Sequence, residues 1–191
     1  MYKKILKDSC VGIAGCGGLG SNCAVALARV GIGKLILADF DIVTESNLNR
    51  QYFFLEQLGQ KKVLALRDNI QRINKDVLVH VLDLKLTPDI IKKKFKDCNV
   101  IVEAFDLAQM KHMLIETILT EFPDKYIVAG SGLAGWGKNN DIKTVQYDNL
   151  FICGDQYIEV NDNCPPLAPR VGIVANMQAN QVLEIIMNDL K

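Results

Sequence analysis

The sequence has no long hydrophobic run, no excess of either charge and no obvious internal division. No apolar stretch approaches the ~20 residues that span a membrane, and residues 1–8 are too short and too charged to predict a signal peptide. Lys and Arg total 22 and Asp and Glu total 22, so the net charge does not attract nucleic acid or an acidic membrane. Repeats, low-complexity tracts and linkers are also lacking. We therefore expect one soluble domain over residues 1–191.

Cysteine is present but does not form the pattern of a disulfide framework. The six cysteines lie at irregular positions, which is typical of reduced thiols in a cytoplasmic protein. Cys10, Cys23 and Cys98 fall on predicted strand or helix faces, and Cys16 lies at a variable position of a glycine loop. We expect all four to pack in the interior.

A glycine-rich segment follows the first apolar strand. Residues 11–14 are apolar and run into Gly15-Cys16-Gly17-Gly18-Leu19-Gly20, after which a helix is predicted. Gly15 permits a tight turn, Gly17 lets the backbone approach a phosphate, and Gly20 lets the helix pack against the strand. The helix N-terminus offers free N–H groups to an anion. The segment, Gly18 included, predicts a nucleotide site, and it suits NAD, FAD or ATP.

The residues that follow narrow the choice of nucleotide. The second predicted strand ends in Asp39, where a carboxylate binds the ribose in a nucleotide-binding βαβ unit. Asn47, Arg50 and Lys62 then place amide and cationic donors near a polyphosphate, whereas Lys61 is expected to be an ordinary surface lysine. Hydride transfer develops no charge on phosphorus, but phosphate-directed catalysis does. A nicotinamide dehydrogenase therefore explains this segment poorly.

Strands and helices alternate along the chain, which predicts a Rossmann-like, doubly wound, mostly parallel α/β sheet. Two segments joined by Asp148-Asn149 predict an antiparallel extension near the C-terminus. Beyond the first strand, the expected strands are 34–39, 77–84, 99–104, 126–129, 143–147 and 150–153, and the later helices are 59–74, 88–95, 109–121 and 170–189.

Residues 11–75 carry a specific family signature. After the glycine loop come Asp-x-Asp-x-Val at 39–43, Ser-Asn-Leu-x-Arg-Gln at 46–51 and Gly-x-x-Lys at 59–62. The order of these motifs and the distances between them resemble those of the ThiF/MoeB/HesA adenylating enzymes. These enzymes are relatives of the ubiquitin-activating enzymes. The resemblance continues more weakly to about residue 186. It implies a single ThiF-like adenylation domain that uses ATP to activate the C-terminal glycine carboxylate of a small ubiquitin-like protein.

The resemblance also implies roles for five residues. Asp39 would hold the ribose hydroxyls, and Asn47 would lie near the phosphates. Arg50 and Lys62 would be catalytic and bind phosphate, because charge gathers on the phosphoryl oxygens as pyrophosphate leaves. Asp41 either contacts ATP or orients the loop that presents Arg50.

Asp106 follows the fourth predicted strand, at the edge where open α/β sheets bind ligands. The family's acid falls on this residue, and a carboxylate there can hold Mg²⁺ together with substrate phosphates. The family has Asn after that acid, whereas this chain has Leu107. The alternative is that Asp106 merely caps the helix over 109–121.

Cys164 lies in the stiff loop Asn163-Cys164-Pro165-Pro166, before the last helix. Sulfur-transferring members of the family carry a cysteine on a mobile crossover loop there, which implies a catalytic thiol that forms an acyl disulfide or takes up a persulfide. A helix N-terminus and Arg170 nearby favour the thiolate. The alternative is a loop cysteine without a role.

Two features of the family are not found in the sequence. Many relatives bind a structural zinc with two Cys-x-x-Cys pairs. Here Cys153 matches one ligand, but Leu150 stands at another and there is no second pair, so we expect no zinc site. Relatives also carry an N-terminal helical segment whose arginine reaches the partner's ATP site, whereas this chain is expected to begin almost directly with its first strand. Arg170 is the candidate substitute for that arginine.

The sequence therefore predicts a short ThiF-like adenylyltransferase that uses Mg-ATP to form the acyl-adenylate of a sulfur carrier ending in Gly-Gly. A thiamin-pathway carrier is favoured, and the resemblance implies a homodimer. The glycine-rich segment 130–137 is expected to bind the carrier's tail, because glycines let two backbones approach closely. Two alternatives remain: a related enzyme that acts on a tRNA-linked carboxylate or a peptide terminus, and a non-catalytic nucleotide sensor.

Overall fold

The computed structural model describes residues 2–188 and builds a seven-stranded sheet. The strands are β1 (Cys10–Ala14), β2 (Lys34–Asp39), β3 (Leu78–Asp83), β4 (Val100–Glu103), β5 (Tyr126–Gly130), β6 (Lys143–Tyr147) and β7 (Leu150–Gly154). Their order across the sheet is β3-β2-β1-β4-β5-β7-β6, and every neighbouring pair is parallel except β6 and β7. The predicted doubly wound sheet and its antiparallel extension are confirmed.

Helices cover both faces of this sheet. They are α1 (Tyr2–Lys7), α2 (Gly18–Val30), α3 (Lys62–Ile73), α4 (Pro88–Lys94), α5 (Ala108–Glu121) and α6 (Ala168–Asn188). The helix predicted from residue 59 begins three residues later, because Gly59 adopts a left-handed backbone with φ of +80°. The predicted end of the last helix, Asp189, lies outside the described residues. Within residues 2–188, none of the helices combines the length and apolar content of a transmembrane span.

Helix α1 was not expected from the sequence. It places Leu6 in the core and packs against α6, ahead of the first strand. A six-residue helix has little stability of its own, so this contact with the core is what stabilises it. The prediction that the chain starts almost directly with β1 is therefore wrong, although α1 carries lysines and no arginine.

The core lies in two apolar layers. Helices α2, α3 and α6 pack over one face of the sheet, and α4 and α5 pack against each other over the opposite face. Strands β1 and β4 are buried along their full length, as expected for parallel strands covered on both sides. Five of the six cysteines are buried, which confirms the interior positions predicted for Cys10, Cys16, Cys23 and Cys98.

The direction of winding reverses at β1. The chain passes from β1 through α2 to β2 on one side, whereas β4 lies on the other side of β1. At the carboxyl end of these strands, Ala14 is paired with Ala38 of β2 and Glu103 of β4. Open α/β sheets bind their ligands in the crevice beyond such a reversal. The loops that follow β1, β2 and β4 therefore border the candidate site.

Candidate nucleotide-binding site

The glycine loop connects β1 to α2 in a conformation that side chains would prevent. Gly15 has a φ of +96°, and a Cβ there would lie 2.6 Å from the Ala104 carbonyl oxygen. A Cβ on Gly20 would lie 1.8 Å from the Gly15 carbonyl oxygen. At Gly17, by contrast, the nearest atom to such a Cβ is Gln51 Nε2 at 3.7 Å. Gly15 and Gly20 are therefore required by packing, whereas a Cβ at Gly17 would make only an ordinary van der Waals contact with Gln51.

Asp39 is tied to this loop through its carboxylate. Oδ2 accepts a hydrogen bond from the Cys16 N–H at 2.7 Å, and Oδ1 accepts one from the Asp41 N–H at 2.8 Å. Burial raises the pKa of the Cys16 thiol well above its ordinary value, and Asp39 raises it further. The thiol is thus a neutral packing group, and the half-buried carboxylate of Asp39 stands beside the glycine loop.

Asp41 and Lys62 form an ion pair on the other side of Asp39. Lys62 Nζ lies 2.9 Å from Asp41 Oδ2, and the Lys62 N–H donates to the Asp41 carbonyl at 2.9 Å. The Asp41 side chain is therefore bonded to Lys62, and its contact with ATP or with the loop that presents Arg50 stays a prediction. Lys61 forms an ion pair with Asp83, and both side chains are partly exposed, as expected of a lysine outside the site.

Arg50 lies over the first turn of α2. Its Cγ is 3.7 Å from the position that a Cβ on Gly18 would take. Asn22 of α2 donates through Nδ2 to the Arg50 carbonyl at 2.9 Å, which fixes the backbone at this point. Arg50 Nη1 donates to the Ser46 carbonyl at 3.0 Å and to Asn49 Oδ1 at 2.7 Å. The aliphatic part of Arg50 thus lies beside the start of α2, while its guanidinium is hydrogen-bonded within its own loop.

Asn47 shapes the loop that presents Arg50. Its Oδ1 accepts a hydrogen bond from the Thr44 N–H at 3.0 Å, and its carbonyl accepts from the Arg50 and Gln51 N–H groups. The hydrogen bonds of Asn47 are therefore made within its own loop and not to the glycine loop. Gln51, for which no role is predicted from the sequence, is buried beside Gly17, and its Oε1 has no hydrogen-bond partner.

Asp106 is exposed in the segment between β4 and α5. The N-cap of α5 is Leu107, whose side chain makes no capping bond, so the alternative reading of Asp106 as the helix cap is wrong. Within residues 2–188 no group of three or more His, Cys, Asp or Glu side chains could hold a metal ion by itself. Mg²⁺ is nevertheless commonly bound by one or two carboxylates plus phosphates. The exposed Asp106 fits that arrangement only with phosphates as the other ligands.

Cys164 contacts the segment 130–137 rather than the glycine loop. A Cβ on Gly135 would lie 2.7 Å from Cys164 Sγ, and the Gly135 N–H donates to the Pro165 carbonyl at 2.9 Å. The Cys164 backbone forms a short antiparallel bridge with Asn161. Cys164 is the one partly exposed cysteine, and it lies at the segment where a carrier tail is expected.

Arg170 does not have the role that the sequence suggested. Its side chain is 2% exposed, Nη2 is paired with Asp155 Oδ2, and Nη1 donates to the Gly137 carbonyl. Burial acts to raise the pKa of Asp155, but hydrogen bonds from the Ile158 and Tyr157 N–H groups and the Arg170 guanidinium lower it by more. The expectation that Arg170 substitutes for a partner's arginine at the nucleotide is therefore wrong. It fastens the ends of two loops instead.

Two charged residues near the crevice, Glu103 and Lys111, were missed by sequence reasoning. Glu103 ends the buried strand β4 and is 0% exposed, and its Oε2 is paired with Lys111 Nζ of α5. Burial raises the pKa of the Glu103 carboxyl, while Lys111 opposes that shift. The sequence signal that could have identified Glu103 is its position as an acid at the end of an otherwise apolar strand, three residues before Asp106.

These contacts define a class of protein: a doubly wound α/β nucleotide-binding domain with two cations beside its glycine loop. The chain belongs to the ThiF family, whose sequence pattern matches residues 2–191. The prediction from the motifs is therefore confirmed at the level of the family.

Relatives in this family are adenylyltransferases. "Adenylyltransferase and sulfurtransferase MOCS3" of Dictyostelium discoideum is 30% identical over 194 residues, which cover 96% of this chain and 44% of that protein. The molybdopterin-synthase adenylyltransferase of Salmonella typhimurium is 25% identical over 190 residues, which cover 96% of this chain and 75% of that protein. This chain therefore spans less than half of the first relative and three quarters of the second.

Among solved structures, the fold is similar to that of E. coli TcdA, a tRNA N6-threonylcarbamoyladenosine dehydratase. The TcdA complex with AMP superimposes with a TM-score of 0.90 at 20% identity, over 99% of this chain and 90% of that chain. The TcdA complex with ATP gives a TM-score of 0.89. At this level of identity the similarity concerns the fold.

Proposed function

We propose that this chain is an ATP-dependent adenylyltransferase that activates the C-terminal glycine carboxylate of a ubiquitin-like sulfur carrier. The observation that carries the proposal is the row of contacts from the glycine loop to Asp39, Asp41 and Lys62, with Arg50 over the first turn of α2. A nicotinamide enzyme has use for the glycine loop and Asp39 but not for two cations. The names of the family relatives support the same activity.

In the proposed reaction, an oxygen of the carrier's terminal carboxylate attacks the α-phosphorus of ATP. The bond from that phosphorus to the bridging oxygen breaks, and pyrophosphate leaves with the electron pair. Arg50 and Lys62 would stabilise the charge that develops on the phosphoryl oxygens, and the N–H groups at the start of α2 would bind phosphate. Asp39 would accept hydrogen bonds from the ribose. Mg²⁺ bound with Asp106 would neutralise phosphate charge.

Cys164 would act after adenylation. If its thiol carries a persulfide from a sulfur donor, the terminal sulfur can attack the acyl-adenylate carbonyl, displace AMP and leave an acyl disulfide on Cys164. A thiol reductant would then release the carrier thiocarboxylate. Its partial exposure and its contact with Gly135 support this role.

The segment 130–137 is the proposed groove for the carrier's tail. Gly132, Gly135 and Gly137 all have positive φ, so this backbone is shaped by glycine and presents few side chains. A thiamin-pathway carrier and a homodimer are the remaining parts of the proposal, and both rest on the family resemblance. Sedimentation of the purified chain tests the homodimer.

Carrier-dependent exchange of labelled pyrophosphate into ATP tests the function. Wild type should exchange label only with a carrier that ends in Gly-Gly. Arg50→Ala and Asp106→Ala should lose the exchange, whereas Cys164→Ala should keep it and lose only the formation of thiocarboxylate.

Tight ATP binding without exchange, with every Gly-Gly carrier supplied, would exclude carrier activation. Exchange that instead depends on a tRNA-linked carboxylate or a peptide terminus would assign the chain to a different acyl substrate. The absence of exchange with any acyl substrate would favour a nucleotide sensor.

A further inference from the structure

The buried ion pair between Glu103 and Lys111 has no part in the proposed chemistry, but it connects segments that do. Glu103 Oε1 accepts a hydrogen bond from the Phe105 N–H at 2.7 Å, two residues further along the chain. This bond fixes the turn by which the backbone leaves β4. The next residue in the segment is Asp106, so the Glu103 side chain sets the direction from which Asp106 is presented.

Lys111 extends the connection to the next strand. Its ammonium donates to Glu103 Oε2 and, at 2.9 Å, to the carbonyl of Gly130, the last residue of β5. Gly130 is also the first residue of the segment 130–137. One ammonium group from α5 therefore joins the ends of β4 and β5 where their loops begin.

Gln178 of α6 fastens the same strand ends from the other side. Its Nε2 donates to the Glu103 carbonyl at 2.9 Å and to the Val128 carbonyl at 3.1 Å. A Cβ on Gly130 would lie 2.4 Å from Leu19 Cδ1 of α2, so there is no free space at this point. Helices α2 and α6 therefore contact β4 and β5 here, while the Glu103–Lys111 pair links the turn after β4 to α5 through its side chains.

The same region is packed against the glycine loop. A Cβ on Gly15 would lie 2.6 Å from the Ala104 carbonyl oxygen. The Ala104 N–H donates to the Ala14 carbonyl at 2.9 Å. A change in the turn at Glu103 would therefore move Asp106 relative to the phosphate side of the site. Misplacement of reacting groups by about 1 Å can cost about 100-fold in rate.

Stability alone gives little reason for an ion pair at this position. Replacing a buried ion pair with well-packed apolar residues is often neutral or stabilising, because desolvation of the charges offsets their attraction. The pair nevertheless makes hydrogen bonds to two backbone groups outside it, the Phe105 N–H and the Gly130 carbonyl. An apolar pair could fill the volume but could not fix these atoms.

We propose that the Glu103–Lys111 pair is a positioning element that holds the Asp106 segment and the start of the segment 130–137 in one arrangement with the glycine loop. The pair touches neither nucleotide nor carboxylate and acts through the two segments that do. The inference rests on the proposed function for the roles of Asp106 and the segment 130–137. The placement itself can be measured without any substrate.

Three variants separate positioning from stability. Lys111→Met removes the donor and leaves Glu103 buried without its cation. The double variant Glu103→Leu/Lys111→Met removes both the uncompensated charge and the acceptor of the Phe105 N–H, so it should regain much of the thermal stability without restoring the turn. Lys125→Met is the matched control, because Lys125 is another partly buried lysine that donates to a backbone carbonyl, that of Cys98, away from the carboxyl ends of the strands.

The first measurement is amide hydrogen exchange in the chain without ligands. In both Lys111 variants, residues 104–107 and 130–137 should exchange about tenfold faster than in wild type, while Lys125→Met should not change them. Equal exchange in these segments in wild type and in both Lys111 variants would overturn the proposal. This readout remains valid if wild type shows no pyrophosphate exchange, in which case only the proposed function fails.

The second measurement is pyrophosphate exchange with a Gly-Gly carrier. Lys111→Met and the double variant should lose about 100-fold in kcat with the KM for ATP within about threefold of wild type. The kcat of the double variant should stay low even though its Tm returns toward that of wild type. Recovery of kcat together with Tm would mean that the pair only stabilises the fold, and it would overturn the proposal.

Discussion

Lys62 Nζ lies 2.9 Å from Asp41 Oδ2, and the two side chains differ sharply in exposure. Lys62 is 8% exposed and Asp41 is 52% exposed, so a buried cation is held by a carboxylate that faces solvent. An ammonium has three N–H donors. Lys62 can therefore keep Asp41 as a partner and still bind a phosphate oxygen, in a direction that Asp41 fixes.

Lys62→Ala should reduce carrier-dependent pyrophosphate exchange by about 100- to 1000-fold, because it removes a fixed cation from the developing phosphoryl charge. Lys61→Ala is the matched control. Lys61 is paired with the exposed Asp83, and surface pairs of this kind contribute little. Equal losses in the two variants would contradict a specific role for Lys62.

Asp39→Ala should weaken AMP binding by about 10- to 100-fold, the value expected for a lost hydrogen bond to a charged group. The variant also removes the acceptor of the Cys16 N–H, so the glycine loop loses a tether. Isothermal titration with AMP measures the effect. Asp83→Ala is the control, because Asp83 occupies the same register on the neighbouring strand β3. AMP binding that survives in Asp39→Ala would remove Asp39 from the ribose site.

Arg170→Met should lower the free energy of unfolding by about 3–5 kcal/mol, since it leaves the carboxylate of Asp155 buried without its cation. The Arg170 and Asp155 side chains are 2% and 0% exposed. Denaturant unfolding measures the change. Arg67→Met is the control, because Arg67 pairs with Asp68 on the surface. If the free energy of unfolding falls no more than in the control, water solvates the Asp155 carboxylate in place of Arg170.

The Asp155 carboxyl should contribute to acid unfolding. Its pKa in the folded protein is below its ordinary value, so its stabilisation is complete above the unfolded pKa of about 3.9. The stabilisation is lost as the pH falls through the lower, folded value. The free energy of unfolding of Asp155→Asn should therefore fall less steeply than that of wild type below about pH 4. Identical slopes would show that Asp155 does not titrate in this range.

Gly20→Ala should destabilise the protein, because the new methyl group would lie 1.8 Å from the Gly15 carbonyl oxygen. The glycine loop must move to admit it, so AMP binding should fall as well. Gly172→Ala in α6 is the contrasting variant. It has open space around the new Cβ and should gain about 0.5–1 kcal/mol of stability from helix propensity. A Gly20→Ala protein as stable as wild type would show that the loop can shift without cost.

The fold and the nucleotide side of the site were predictable because their signals are local. The glycine loop needs a positive φ at Gly15 and a close contact at Gly20, and both requirements leave a pattern within six residues. Apolar runs of strand length gave the strands to within one or two residues. The family motif also distinguished Lys62 from Lys61, and the two side chains differ in the structure: Lys62 is buried against Asp41, whereas Lys61 is partly exposed beside Asp83.

The tertiary structure decided which charged side chains meet. Lys111 and Glu103 are 8 residues apart, Arg170 and Asp155 are 15 apart, and Lys62 and Asp41 are 21 apart. Helix and strand periodicity do not specify such pairs. They form because the strand order brings the carboxyl ends of β2, β1, β4, β5 and β7 to one edge of the sheet. Burial at that edge then requires each charge to find a partner.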